Sequence, residues 1–123
     1  MKKKFNYVDG FVLPIPKKNV GAYKKMAKLA CKVWIDHGAI DYLECIAEDV
    51  KPGKVTSFPQ SVKLKKNEVV FFSWITYKSR AHRDLVLKKV LADPRLKKMM
   101  DPKNMAFDGK RMIYGGFKPV VKF

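Results

Sequence analysis

The chain has 123 residues, of which 47% are hydrophobic and 31% charged. That balance supplies one domain with a core and argues against disorder and against a membrane-embedded protein. The formal net charge of +16 favours anionic partners, yet Arg80, Arg83, Arg95 and Arg111 are the only arginines among 27 basic residues, and lysine lacks the forked donor set of specific phosphate or base recognition.

Met1-Lys2-Lys3-Lys4 carries the charge of a signal-peptide start, but Asp9, Gly10, Pro14 and Pro16 interrupt any apolar run after it. No leader and no membrane contact are expected, and the reading is a cytoplasmic protein. Phe5 to Ile15 predicts a first strand, with Tyr7, Asp9, Phe11 and Leu13 on one face, Val8, Gly10 and Val12 on the other, and Pro14 and Pro16 as its stop. Asn19 to Gly38 predicts a helix capped by Asn19 and ended by Gly38. Its apolar stripe is Val20, Tyr23, Ala27, Ala30, Cys31 and Trp34, with Lys24, Lys25, Lys28 and Lys32 mostly on the wet side. Ala39 to Val50 reads as a second strand, with Ile40, Tyr42 and Glu44 alternating against Asp41, Leu43 and Cys45. Lys51 to Asn67 is too long for an ordinary connection, so it is either a functional loop or conceals a short strand. Glu68 to Lys78 is the clearest strand. Ser79 then caps a helix to about Ala92, Asp93-Pro94 opens a short third helix, and Arg111 to Phe123 is the last strand, where Gly115-Gly116 marks a bulge or a close approach.

The order predicts a single α+β domain over residues 1–123: a ferredoxin-like βαββαβ antiparallel sheet with helices on one face. Helices on one side cannot cover both faces, and the third strand is apolar on both, with Phe71, Ile75 and Tyr77 opposite Phe72 and Trp74. A second copy packed sheet to sheet would bury the remaining patch, so a homodimer is expected. The competing possibility is that the Lys51–Asn67 loop folds back over it.

Four strings carry a family resemblance: Tyr7-Val8-Asp9-Gly10-Phe11-Val12; Thr56-Ser57-Phe58-Pro59-Gln60; Phe72-Ser73-Trp74-Ile75 with Tyr77-Lys78-Ser79-Arg80-Ala81-His82-Arg83-Asp84; and Phe107 to Phe117. Together they resemble the YbaA-like bacterial family of unknown function, nearly end to end. The resemblance implies a dimeric α/β barrel and brings no activity or cofactor. Met105-Ala106 departs from the family pattern, which has proline second.

Chemistry-bearing residues are sparse. His37 suits a helix C-terminus. His82, between Arg80 and Arg83 in a first helical turn, is a half-buried helix residue or part of an anion-binding turn. Asp9, Glu44 and Asp108 are the acid/base candidates, and pairing of such acids with Arg111 is the plainer reading. No Cys/His cluster, phosphate loop or nucleophile elbow is visible, so no metal or cofactor is expected and catalysis is left open. Cys31 and Cys45 fit small buried hydrophobes in a reducing compartment. Trp34 and Tyr42, with Trp74, Tyr77 and Tyr114, are core or line a pocket between sheet and helices.

The leading expectation is a small-molecule site made by Asp9, Tyr42, Trp74, Tyr77, His82, Arg111 and Tyr114. The alternatives are a nucleic-acid or polyanion surface of Lys51, Lys54, Lys63, Lys65 and Lys66, or a structural dimer serving a protein partner.

Overall fold

Two long strands, β1 (Tyr7–Pro16) and β3 (Glu68–Tyr77), pair antiparallel along their whole length in a computed structural model that describes residues 4–122, Asn104 by its backbone alone. Met1–Lys3 and Phe123, parts of the expected leader-like start and last strand, lie outside the described residues. β2 (Asp41–Ile46) pairs with β3 and β4 (Ile113–Phe117) with β1, giving a four-stranded antiparallel sheet of order β2-β3-β1-β4. Both short strands are trimmed relative to their sequence patterns. Arg111 falls in a 3-10 turn before β4 rather than in it.

The prolines do not end β1 where expected. Lys17 N–H donates to Asn67 O on the β3 side, so Pro14 and Pro16, one residue out of phase, face the other edge. The β4 ladder has already ended at Val12, so the missing proline N–H groups break no bond.

The helix α1 (Val20–Asp36) follows the predicted stripe, burying Tyr23, Ala27, Ala30 and Val33. Asn19 occupies the N-cap position without capping; its Nδ2 donates to Ala106 O across the fold (3.0 Å). Gly38 has φ of +113°, the left-handed conformation expected just past the helix end. The long connection conceals a short helix, α2 (Phe58–Ser61), rather than a strand. Ser57 Oγ accepts from Gln60 N–H, and Gln60 Oε1 accepts from Gly53 N–H (2.8 Å). Ser79 caps α3 (Arg80–Ala92) and Asp93 caps α4 (Pro94–Met99), both as read from the sequence.

Strand pleat sorts the side chains onto two faces. Leu13, Ile15, Phe71, Ile75 and Tyr77 turn toward α1, α3 and α4 and are buried with Val33, Val86, Val90 and Leu96. Gly115-Gly116 sits in regular register, without a bulge, and a Cβ on Gly116 would overlap the Tyr7 ring. Gly116 therefore marks a close approach, while Gly115 has room for a side chain.

The other face carries Val8, Val12, Phe72, Trp74, Ile113 and Phe117 around a broad apolar concavity of about 1870 Å³. Phe58 of α2 reaches the Phe72 ring edge-on (5.9 Å), yet Phe72 stays 39% exposed and Phe58 49%. The loop touches this face without covering it.

Candidate functional site

A groove of about 330 Å³ runs between α1 and the β2 side of the sheet. Val20, Lys24, Ala27, Lys28 and Cys31 come from one stripe of α1, and Tyr42, Glu44, Ile46 and Phe71 from the strands beneath. The helical spacing puts apolar atoms over the strands and leaves two exposed lysines at the mouth. Among the described residues no group of three or more His, Cys, Asp or Glu could hold a metal ion.

Glu44 is the polar centre of the groove. Strand alternation aims it at the helices beside Tyr42, and register sets it opposite Ser73. Tyr23 OH donates to one carboxylate oxygen (2.8 Å) and Tyr42 OH to the other (2.9 Å), and the Ser73 hydroxyl adds a third bond. Tyr23 is held by edge-on contacts with Phe71 and Phe107. Burial pushes the Glu44 carboxyl above the ordinary glutamate range, and the three hydroxyl bonds pull against that rise without cancelling it. Burial and the adjacent carboxylate drive both tyrosine hydroxyls upward, so they stay neutral donors.

Asp9 and Glu68, two acids more deeply buried than the half-buried Glu44, have arginine partners. Arg83 NH1 donates to Asp9 (2.7 Å) with the two side chains 19% and 7% exposed. Tyr77 OH also bonds Asp9 and accepts from Trp34 Nε1 (3.1 Å). Arg111 grips both oxygens of Glu68 (2.7 and 2.6 Å) and reaches Asp108 (3.0 Å). Hydrogen bonds from Arg111 hold both of those carboxyls below their usual range. The sequence makes Arg111 the obvious partner of Asp9, Glu44 and Asp108. The structure bears this out for Asp108 and corrects it for the other two, because Glu68, which Arg111 also holds, lies across from Pro16, at the far end of β1 from Asp9.

The seven residues expected to form one pocket are therefore distributed. Asp9, Tyr77 and His82 gather under α3, around Arg83. Tyr42 lies in the groove beside Glu44, while Trp74 is on the helix-free face. Tyr114 is 72% exposed, with its ring stacked on Phe11 at 6.1 Å. Arg111 stands apart with Glu68 and Asp108. The free N–H of His82 is taken by Ser79 Oγ, and its ring Nδ1 accepts from Lys78 N–H (3.1 Å). Burial, Lys78 and Lys89 lower its pKa, so the ring is a neutral acceptor rather than an anion-binding cation. His37 Nε2 meets Asp93 Oδ2 (2.8 Å), joining the α1 end to the α4 cap.

Lys51, Lys54, Lys63, Lys65 and Lys66 are all exposed. Three of the four arginines, Arg83, Arg95 and Arg111, are committed to carboxylates of the same chain. The sequence points to Glu44 and Tyr42 but not to Lys24 and Lys28 as groove residues, nor to Tyr23 as the buried donor behind Glu44. The signal was present: positions 20, 24, 27, 28 and 31 share one helical face.

Comparison with known proteins agrees with the end-to-end resemblance. Residues 6–109 match the family described as "Protein of unknown function (DUF1428)". The chain is 47% identical over 115 residues to "Uncharacterized protein YbaA" of Escherichia coli (strain K12), covering 94% of this chain and 97% of that one. The same figures hold for the protein so named in Shigella flexneri. Among solved structures, "De novo designed protein Foldit4" aligns with a TM-score of 0.45 at 8% identity, covering 95% of this chain and 99% of that one; a likeness at that level carries no weight for this chain. No helix among the described residues is long and apolar enough to cross a membrane. With a family match over most of its length and near-half identity to YbaA, the chain belongs to the DUF1428 family of unknown function.

Proposed function

We propose that the protein is a cytoplasmic homodimer of ferredoxin-like subunits, a dimeric α/β barrel closed by its two helix-free sheet faces, and that each subunit binds a small organic ligand in the groove between α1 and the sheet. The observation that carries the ligand reading is Glu44: a carboxyl in an apolar groove, held by three hydroxyls and, among the described residues, by no ion pair. A buried carboxyl normally has a cation unless its site serves something else. The sheet order β2-β3-β1-β4 and the apolar concavity around Phe72 and Trp74 support the barrel. Burying each such side chain contributes roughly 1.5–3 kcal/mol, and a second copy with two-fold symmetry supplies matching apolar surface. Free Cys31 and Cys45 fit a reducing compartment. A polyanion surface has its support in the five exposed loop lysines, and the internal commitment of Arg83, Arg95 and Arg111 weighs against it.

Trp34 reports on the groove, since its ring lies 6.0 Å from that of Tyr42. A Trp74→Phe variant leaves Trp34 as the sole tryptophan. Titrating it with small aromatic and aliphatic carbonyl compounds and carboxylates is expected to give a saturable emission change for at least one class, weakened at least tenfold by Glu44→Ala. Linear, non-saturating responses throughout would rule out the groove as a ligand site.

A further inference from the structure

We propose that Glu44 is a proton-transferring carboxyl for small anionic carbonyl compounds, 2-oxo acids being the simplest class, whose charged end lies between Lys24 and Lys28. This rests on the groove being a ligand site. It adds what the ligand is and what happens to it.

The chain has 27 lysines and arginines against 11 acids. A half-buried carboxyl with no cation among the described residues is therefore a matter of placement and not of scarcity. Asp9, Asp36, Glu68, Asp93 and Asp108 each have an arginine within 3.0 Å. Glu44 has only neutral donors, one tyrosine on each oxygen. The carboxylate has about four acceptor positions, so the three hydroxyl bonds leave one open. The tyrosines fix the orientation of the carboxyl without neutralising it.

The groove mouth decides the sign of the ligand. Lys24 and Lys28 stand one turn apart on α1, exposed, and line the same groove. With the strong positive charge of the whole chain they repel an amine that would otherwise pair with Glu44, and they attract a carboxylate. Ala27, Ile46 and Phe71 line the same groove and suit a short apolar body. A molecule satisfying both ends has an anionic group outside and a weakly acidic C–H inside.

The step balances within the ligand and this carboxyl. Glu44 takes the proton from the carbon beside the carbonyl. The C–H electron pair moves into the carbon–carbon bond, and the carbonyl π pair moves onto its oxygen, giving the enolate. Tyr42, which lines the groove, then turns its single hydroxyl proton from the newly protonated Glu44 to that oxygen. Glu44 then returns a proton to the same carbon or to the oxygen. The net result is proton exchange or keto–enol interconversion, with nothing oxidised and no second reactant. Desolvation of Glu44 raises its basicity toward what proton removal from carbon requires.

The test follows deuterium uptake from D2O into the carbon next to the carbonyl of pyruvate, 2-oxobutanoate and phenylpyruvate by proton NMR. Binding is read from Trp34 emission in the Trp74→Phe protein on the same samples. At least one of the three is expected to exchange roughly 10²-fold or more above buffer. Glu44→Gln is expected to abolish that gain while Trp34 emission still shows saturable binding. Glu44→Asp, which withdraws the carboxyl by one methylene, is expected to lower it at least tenfold, and serves if the glutamine variant does not fold. Lys24→Ala/Lys28→Ala is expected to raise the half-saturating concentration at least tenfold. Saturable binding with exchange no faster than buffer, or exchange that survives Glu44→Gln, overturns proton transfer and leaves the ligand groove standing. If none of the three binds or exchanges, while another compound class saturates Trp34 emission, the assignment to anionic carbonyl compounds is overturned. If no compound of any class saturates it, the groove reading falls as well.

Discussion

Replacing Arg83 with methionine is expected to destabilise the protein by about 3–5 kcal/mol, the range for breaking one side of a buried ion pair, which lowers the melting temperature by roughly 10–20 °C. Arg83 donates to Asp9 at 2.7 Å, its guanidinium lies over the Tyr7 ring at 5.0 Å, and Asp9 also binds the Tyr77–Trp34 pair. Methionine fills similar space but leaves a carboxylate in the core without a charge partner. Burial already pushes the Asp9 carboxyl up against the pull of Arg83, and loss of Arg83 takes it further. A raised folded-state pKa means that the folded form holds the proton more tightly. The variant should therefore gain stability as pH falls from 7 toward 5, where a protein losing ionised, salt-bridged carboxylates would lose it. Adding Asp9→Asn to the variant should recover much of the loss, since no buried charge then remains. Thermal melts between pH 5 and 8 check all three statements; a loss below 1 kcal/mol with no reversal of the pH slope would mean the pair is solvated.

A second large effect is expected at the helix-free face. Phe72→Asp puts a carboxylate at the centre of the apolar patch, next to Trp74 (5.5 Å between rings) and Phe58. Phe72 is not part of the subunit core, so the monomer should keep its circular dichroism. Two copies of the charge would be desolvated in a symmetric contact, and dimer affinity should fall on the order of 10³-fold or more. Light scattering at micromolar concentration then changes from twice 14.2 kDa to 14.2 kDa. The dimer of the parent chain should tighten with added salt, because two subunits of charge +16 repel across the interface. A parent protein that scatters as 14.2 kDa at every salt concentration contradicts the barrel.

What could be read from the sequence was what depends on neighbours in sequence. The period-two pattern of β3 placed Phe71, Ile75 and Tyr77 on the helix side and Phe72 on the other, as found. The caps Ser79 and Asp93 and the left-handed Gly38 are local signals of the same kind. The concealed helix α2 also had one, Ser57-Phe58-Pro59-Gln60, a serine followed three residues later by glutamine. Of the ion pairs only Asp108–Arg111, three residues apart, was legible. Arg111 was placed beside Asp9 and Glu44 because all three point inward from strands. Only the antiparallel register, which sets Glu68 against Pro16 and Asp9 against Ile75, shows that they stand at opposite ends. For the same reason the aromatic set Tyr42, Trp74, Tyr77 and Tyr114 looked like one pocket and is spread over two faces and an edge. Glu44 stood out in the sequence as an inward acid. That no arginine or lysine among the described residues pairs with it is visible only in the folded chain.

Glu44 stands half-buried and, among the described residues, without an ion pair, in the groove proposed as the ligand site. Carbon-13 NMR of the protein labelled at the glutamate carboxyl tests that proposal directly, with the Glu44 signal assigned by its loss in Glu44→Gln. The Glu44 signal should titrate above the ordinary glutamate value of about 4.3 and that of Glu68 below it. The Glu44 signal should also move when a bound carbonyl compound occupies the groove. Stability should fall as pH rises from the ordinary glutamate value through that of Glu44, a slope that Glu44→Gln removes. A Glu44 carboxyl that titrates at or below the ordinary value, and whose signal no groove ligand shifts, would contradict the account.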